Sequence, residues 1–176
     1  MDETQFEVGQ AVVYSTNGIC YVDSVELISF SAGMPKEQYY VLRQKRNKDN
    51  QFYVPLKNEA VTSKMRDPMQ KEDIDDLLLG LASEDVEWID DRRERNAYFK
   101  EILQEGVSSK LLSMIICIYA RRRDLLKKDK KLPALDSTML KNAEKLLEEE
   151  FAWAIGIDKE EVPKYIRKRL HIPEEE

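Results

Sequence analysis

The chain has few of the residues from which active sites and metal centres are most often built. Among its 176 residues there is one histidine, His171, and two cysteines, Cys20 and Cys117, which lie far apart. A histidine-based triad or a clustered metal site needs more such side chains, and a disulfide framework needs patterned cysteine pairs. The glycines form neither a phosphate-binding loop nor a dinucleotide fingerprint. We therefore expect no catalytic residue, no metal and no cofactor.

Long apolar runs are also missing. The longest apolar block, MIICIY at residues 114–119, falls far short of the ~20 residues needed to span a bilayer. No signal-like pattern precedes Phe6. A charged fraction of 35% exceeds the usual roughly 25% and indicates a large helical surface. We expect a folded, helix-rich cytoplasmic protein without membrane attachment.

The first third of the chain has the pattern of short β-strands. Alternating, β-branched and aromatic segments are separated by turn residues, including Asn17 and Gly18, which suit positive φ. These features predict a small antiparallel barrel of the SH3 or Tudor type over residues 1–66. The predicted strands cover residues 6–14, 19–30, 38–44 and 51–56, with a possible short edge strand in 58–65.

The pattern changes to helical at Asp67 and Pro68, an acidic cap followed by a proline suited to a first helical turn. Apolar spacing from there predicts a compact domain of four or five helices over residues 67–172, followed by a disordered tail at 173–176. The whole chain is thus predicted to be an α+β multidomain protein. The predicted helices cover residues 69–82, 85–104 with Ser83 as cap, 108–128, a segment from Asp136 or Ser137 to Gly156, and 160–170 with Asp158 as cap.

Charge is distributed unevenly, and Trp88 lies where its sign changes. Residues 68–91 carry 1 basic and 9 acidic side chains, whereas residues 92–145 carry 14 basic and 7 acidic ones. An overall charge of −6 therefore conceals a locally basic region of the kind that contacts nucleic acid. Trp88 either packs into the core, as large aromatic side chains commonly do, or is presented to a partner.

Helical periodicity bears on that choice. If the second helix includes Trp88, one stripe holds Trp88, Phe99 and Ile102, with Arg92 and Arg95 in its middle. A buried seam would not hold two unpaired guanidiniums. We therefore expect this helix to be exposed before Phe99, with Trp88 free to stack on an unpaired base or to wedge at a duplex junction. Trp153, in an apolar neighbourhood, is predicted to be core.

A second basic segment follows the apolar part of the third helix. Cations near a helix C-terminus stabilise the helix, but this accounts for only one or two of them. The other basic side chains either bind phosphate, which is the simplest further function for them, or form a solvated helix face. The segment contains Arg121, Arg122, Arg123, Lys127, Lys128, Lys130 and Lys131.

Several motifs resemble the CarD/CdnL family of bacterial transcription regulators, whose polymerase-interacting domain also occurs in the transcription-repair coupling factor. They are VGQAVVYSTNGICYV at residues 8–22, YYVLR and FYVP in later strands, and LQEGVSSKLLSMIICIYARRRD at residues 103–124. The resemblance implies that the barrel binds the β subunit of RNA polymerase. The side chains expected near that interface are Ile28, Phe52, Tyr53, Val54 and Pro55.

The resemblance also implies that the helical domain contacts promoter DNA at the upstream edge of the transcription bubble. Trp88 resembles the family's wedging tryptophan, with Arg92, Arg93 and Arg95 as neighbouring phosphate contacts. In this chain Ile89, Asp90 and Asp91 intervene before the arginines, which follow more closely in the family.

Two functions of different classes follow from these observations. The first is a non-catalytic, monomeric regulator that binds RNA polymerase and, with little sequence preference, promoter DNA, and so stabilises the open complex. The second is a protein-interaction adaptor with a Tudor-like barrel and no nucleic-acid role. Polymerase binding and the exposure of Trp88 distinguish the two.

Overall fold

The structure, a computed structural model, describes residues 4–80 and 86–172. The chain divides into two compact units, residues 1–68 and 69–176, which we call the β unit and the helical unit. In the part of the chain that is described, no helix is both long enough and apolar enough to cross a bilayer.

The β unit contains one five-stranded antiparallel sheet with the strand order β4-β3-β2-β1-β5. The register between β2 and β3 shifts at Val22/Ser24, where a bulge bends the long β2 strand. A single helical turn, α1, separates β4 from β5. The elements are β1 (Ala11–Tyr14), β2 (Ile19–Ile28), β3 (Glu37–Gln44), β4 (Gln51–Pro55), α1 (Glu59–Thr62) and β5 (Met65–Arg66).

One face of this sheet forms the core of the β unit. Tyr40, Leu42 and Val54 point to that face and are almost completely buried. Phe6 packs edge to face on Tyr40, with 6.0 Å between the ring centroids. Along β3, Tyr40, Val41 and Leu42 are all buried, so the opposite face of the sheet is also covered at Val41.

The helical unit contains five α-helices among its described residues. The longest two, α4 and α5, pack against each other and carry most of the buried apolar side chains. A 3₁₀ turn at Lys159–Glu161 leads into the last helix. The helices are α2 (Lys71–Leu78), α3 (Arg92–Glu105), α4 (Ser108–Leu126), α5 (Ala134–Ile155) and α6 (Val162–Arg169).

The core of the helical unit lies where α4 meets α3 and α5. Phe99 from α3, Ile115 from α4 and Phe151 from α5 are fully buried there. Glu150 is also buried, and its carboxylate accepts hydrogen bonds from the Ser108 hydroxyl and, at 2.8 Å, from the Met69 backbone N–H. These bonds satisfy a carboxylate that would otherwise be costly to bury.

The sheet followed by helices confirms the predicted α+β class. Closure of the sheet into a barrel is not shown, because the described pairings leave β4 and β5 as its two edges. Residues 58–65 are mostly the helical turn α1, and only Met65 belongs to the short strand β5. In the turn between β1 and β2, positive φ is found at Ser15 and Gly18 rather than at Asn17.

The predicted starts of α2, α3 and α5 were wrong. The first helix begins at Lys71 with a capping box between Gln70 and Asp73, so Asp67 is not its cap. Helix α3 begins at Arg92 because the Asp91 carboxylate accepts a hydrogen bond from the Glu94 N–H. Helix α5 begins at Ala134, before either predicted cap, Asp136 or Ser137.

Some predictions fall outside the described residues. The cap assigned to Ser83 lies there, as does the tail at 173–176. The third helix lies where it was predicted, although α4 ends at Leu126. The last helix, α6, begins at Val162 after the 3₁₀ turn and ends at Arg169, so Asp158 does not cap it. Trp153 is half-buried rather than a core residue.

Candidate functional site

The outer face of the sheet in the β unit carries an exposed aromatic cluster, which we define as Phe30, Tyr39 and Tyr53. Phe30 follows β2 and packs edge to face on Tyr39 and Tyr53, with centroid distances of 5.2 and 5.4 Å. Phe30 remains 60% exposed and Tyr53 43% exposed. Exposed aromatic groups of this kind are typical anchors of protein interfaces.

Strand β4 also presents an edge of the sheet. The Leu56 N–H donates to the Gln38 carbonyl and the Gln44 N–H donates to the Asn50 carbonyl. The backbone N–H and C=O groups of the even-numbered residues in β4 therefore point toward β3. By the alternation of antiparallel pairing, the backbone N–H and C=O groups of Gln51 and Tyr53 point away from β3. An edge of this kind can pair with a strand of another protein.

The predicted polymerase-facing residues divide between the two faces of the sheet. Ile28, Tyr53 and Pro55 belong to the outer face, as their register with Glu37, Val41 and Tyr39 shows. Val54 points into the core with no exposed surface, and its backbone N–H and C=O face β3, so it is not placed to contact a partner at the edge. Phe52 is half-buried on the core face and packs against Tyr14, with 5.5 Å between ring centroids.

In the helical unit, Trp88 lies in the non-helical segment that precedes α3. Its ring is half-buried against the core and packs edge to face on Phe99 at a centroid distance of 6.2 Å. Two guanidiniums lie over the ring, with Cζ of Arg95 at 4.2 Å and Cζ of Arg121 at 5.3 Å from the ring centroid. Cation–π contacts of this geometry hold the indole in one orientation.

Arg95 is an internal residue, which corrects the expectation that it would be exposed beside Trp88. It is only 4% exposed. Its Nε and Nη2 donate to the two carboxylate oxygens of Asp136, each at 2.9 Å, in a bidentate pair. Nη1 donates to the carbonyl oxygens of Ile89 at 2.8 Å and Asp90 at 3.2 Å. Because this guanidinium is paired with Asp136, it can be buried beside Trp88 without leaving an unpaired charge.

The hydrogen bond with Asp136 also raises the pKa of Arg95, so the guanidinium keeps its charge despite burial. Because Arg95 binds the backbone immediately after Trp88 and also covers its ring, it fixes the segment that leads into α3. Its donors serve this internal role, and its position does not leave them open to a DNA phosphate.

The other predicted DNA contacts are distributed over three positions in the helical unit. Arg92 and Arg93 are exposed in the first turn of α3. Arg121 and Arg122 are half-buried against aromatic rings, Arg122 with its Cζ 4.8 Å from the Tyr119 centroid. The remaining cations are exposed at or after the C-terminus of α4, namely Arg123, Lys127, Lys128, Lys130 and Lys131.

Arg121 connects Trp88 to this basic segment. Its guanidinium lies over the indole, and its Nε is buried with no hydrogen-bond partner within the described ranges. One end of the helical unit, around the start of α3, therefore carries Trp88, Arg92, Arg93 and Arg121.

Residues 6–67 match the family model of the CarD-like/TRCF RID domain. The β unit is a CarD-like RID domain. Domains of this family are protein-interaction domains, in general without enzymatic activity, and in general they bind the β subunit of RNA polymerase. Comparison with curated proteins gave no match for the chain. The RID match ends at residue 67, so the helical unit lies outside it.

Within the RID domain, two members of the aromatic cluster, Phe30 and Tyr39, were not predicted as site residues. Both were placed in predicted strands, but the exposed face of a strand cannot be recognised until its partner strands are known. In the described part of the chain, no group of three or more histidine, cysteine, aspartate or glutamate residues is placed to hold a metal ion.

Proposed function

We propose that this chain is a non-catalytic, cytoplasmic and monomeric regulator of bacterial transcription. Its RID domain would bind the β subunit of RNA polymerase, and its helical unit would contact promoter DNA at the upstream edge of the bubble and stabilise the open complex. The observation that carries the proposal is the RID match over residues 6–67. Polymerase recruitment would raise the effective concentration of the helical unit at the promoter.

The geometry of the RID domain supports docking along β4. The backbone edge of β4 can pair with a strand of the partner, while the aromatic cluster lies on the adjacent outer face. We also infer that the sheet curls into a small SH3/Tudor-like barrel, which the bulge at Val22/Ser24 favours because bulges bend and twist strands.

The start of α3 supports DNA contact. Trp88 offers part of an aromatic ring in a fixed orientation, and Arg92 and Arg93 are exposed nearby. Aromatic stacking on a base contributes about 1–3 kcal/mol and is tolerant of sequence. A pre-oriented ring loses little freedom on binding. Specificity would then come from promoter melting rather than from base reading.

The test combines binding to the isolated β subunit with the lifetime of open complexes formed by bacterial RNA polymerase, measured with the full chain and four variants. Tyr53→Asp should weaken binding to the isolated β subunit about tenfold or more, because it places a charge among the exposed aromatic groups. Val8→Asp, at a residue that is 63% exposed and outside the cluster, is the matched control.

Trp88→Ala should leave β-subunit binding unchanged and shorten open-complex lifetime by up to about tenfold, in line with the loss of one stacking contact. Trp153→Ala makes the same change elsewhere in the helical unit and should preserve the lifetime. An unchanged lifetime with folded Trp88→Ala would contradict the DNA contact. Failure of the wild-type chain to bind polymerase would favour the adaptor function instead.

A further inference from the structure

A groove in the helical unit combines an aliphatic floor with a cationic rim. It lies between the C-terminal half of α4 and the residues that follow α6, and we call it the α4 groove. Its volume is about 600 Å³. The apolar floor consists of Ile116, Ala120, Leu126, Leu170 and Ile172. Leu126, which is 57% exposed, gives this lining an apolar side chain that is open to solvent.

The rim of the α4 groove is positive. Arg122, Arg123 and Lys127 supply the charge, His171 lies beside them, and the described residues that line the groove include no carboxylate. A second cavity of about 520 Å³ adjoins it across Tyr119, Arg122 and Leu126 and adds three cations, Lys131, Lys141 and Arg167. Its one carboxylate, Glu144, already accepts a hydrogen bond from the Tyr119 hydroxyl.

We propose that the α4 groove binds an acidic amphipathic helix of a partner protein. A helix of this kind places apolar side chains along one face and carboxylates beside them, which matches an aliphatic floor flanked by cations. The proposal does not rest on transcription regulation, because it uses only the surface of the helical unit.

The chemistry of the floor favours a protein segment over nucleic acid. Phosphates need cations but gain nothing from isoleucine and leucine, and bases need open aromatic faces on which to stack. The aromatic side chain in the groove, Tyr119, is 6% exposed and has the Arg122 guanidinium over its ring. Leu126 and Ile116 instead offer the apolar contacts that anchor a helix in a groove.

The experiment measures fluorescence anisotropy of a labelled synthetic peptide added to the full chain. The peptide is an amphipathic helix of about 16 residues, roughly 24 Å long, with leucines at helical spacing on one face and glutamates elsewhere. A peptide of the same composition in scrambled order, polyglutamate and a short DNA duplex serve as competitors. We expect saturable binding of the ordered peptide and much weaker competition by the scrambled peptide and polyglutamate.

Three variants locate the binding. Leu126→Asp and Arg123→Glu should each weaken peptide binding about tenfold, while Lys128→Glu, in the same basic segment but outside the groove lining, should preserve it. Because Leu126 and Arg123 are largely exposed, both variants should keep the wild-type circular dichroism spectrum.

Three results would overturn the proposal. Equal competition by polyglutamate would mean that charge alone causes binding, and loss of DNA binding in Leu126→Asp to the same extent as peptide binding would assign the groove to nucleic acid. Absence of saturable peptide binding would also overturn it. These results are independent of polymerase binding by the RID domain, which Tyr53→Asp tests.

Discussion

Arg95 shows how one buried ion pair determines the position of Trp88. The side chains of Arg95 and Asp136 are 5% and 1% exposed, so each charge depends on the other for solvation. Buried pairs add little net stability compared with apolar replacements, but removal of one partner leaves an uncompensated charge. The pair therefore acts mainly by fixing geometry, since the same guanidinium binds the Ile89 carbonyl and covers the indole.

We predict that Asp136→Asn lowers the free energy of unfolding of the helical unit by about 3–5 kcal/mol, because it leaves the Arg95 guanidinium buried without its counter-charge. Denaturant unfolding measures this loss. In a Trp153→Phe background the emission of Trp88 should also shift to the red as its packing loosens. A double variant, Arg95→Met with Asp136→Leu, is the control and should recover most of the stability. Equal losses in both variants would show that the charges are not responsible.

This site also shows which parts could be predicted from sequence. The aspartate-x-x-glutamate pattern of Asp91 and Glu94 is a helix-start signal, and it would have placed Trp88 outside α3. The partner of Arg95 could not be found in the same way, because Asp136 lies 41 residues away and the pairing depends on how α3 packs against α5. Local pattern predicts where a helix begins, but not which charge from another helix is buried beside it.

At the scale of elements, a network around Asp75 links the short helices α2 and α6. The Tyr165 hydroxyl donates to Asp75 at 2.6 Å, Arg169 Nη1 lies 3.1 Å from the same carboxylate oxygen, and Lys71 Nζ donates at 2.7 Å. The hydrogen bonds from Lys71 and Tyr165 hold the pKa of Asp75 below its ordinary value of 3.8. Because the folded state binds this proton more weakly than the unfolded state, the network stabilises the fold above the unfolded pKa.

We predict that Asp75→Asn destabilises the helical unit at pH 7 by about 1 kcal/mol, at the low end for hydrogen bonds to a charged group because the site is partly open to water. The difference from wild type should shrink as the pH falls through the folded pKa of Asp75, where the wild-type carboxylate is protonated as well. Urea unfolding at several pH values measures it. Asp76→Asn alters the exposed neighbour and should have little effect, and a difference that grew with falling pH would contradict the assignment.

Regular elements with strong periodicity were predicted well, and those decided by packing were not. Strands β1 to β4 and helices α4 and α5 follow from alternation and helical spacing. The turn α1 has four residues, too few for periodicity to distinguish it from an edge strand. The outer face of the sheet and the α4 groove depend on how elements pack together, so no single segment of sequence reveals them.

At the scale of the whole molecule, each unit has a core made of its own residues. The RID core is small, with Phe6, Tyr40, Leu42 and Val54 among its buried members, whereas the helical core is built on α4 and α5. Domains near 60 residues bury a smaller fraction of their surface than larger ones and are only marginally stable. The RID domain is therefore expected to be the less stable half of the chain.

This difference leads to a prediction for the full chain. Leu42→Ala, at a fully buried residue of the RID core, should cost about 2–5 kcal/mol, enough to unfold much of the RID domain and abolish the proposed binding to the polymerase β subunit. Amide hydrogen exchange should show lost protection in β2 and β3 and unchanged protection in α4 and α5, because no member of the helical core is altered. Leu147→Ala, in α5, is the matched change and should give the reverse pattern. Equal loss of protection in both units after either substitution would mean that the chain unfolds as one cooperative unit, and that RID docking and the contacts of the helical unit cannot be separated by mutation.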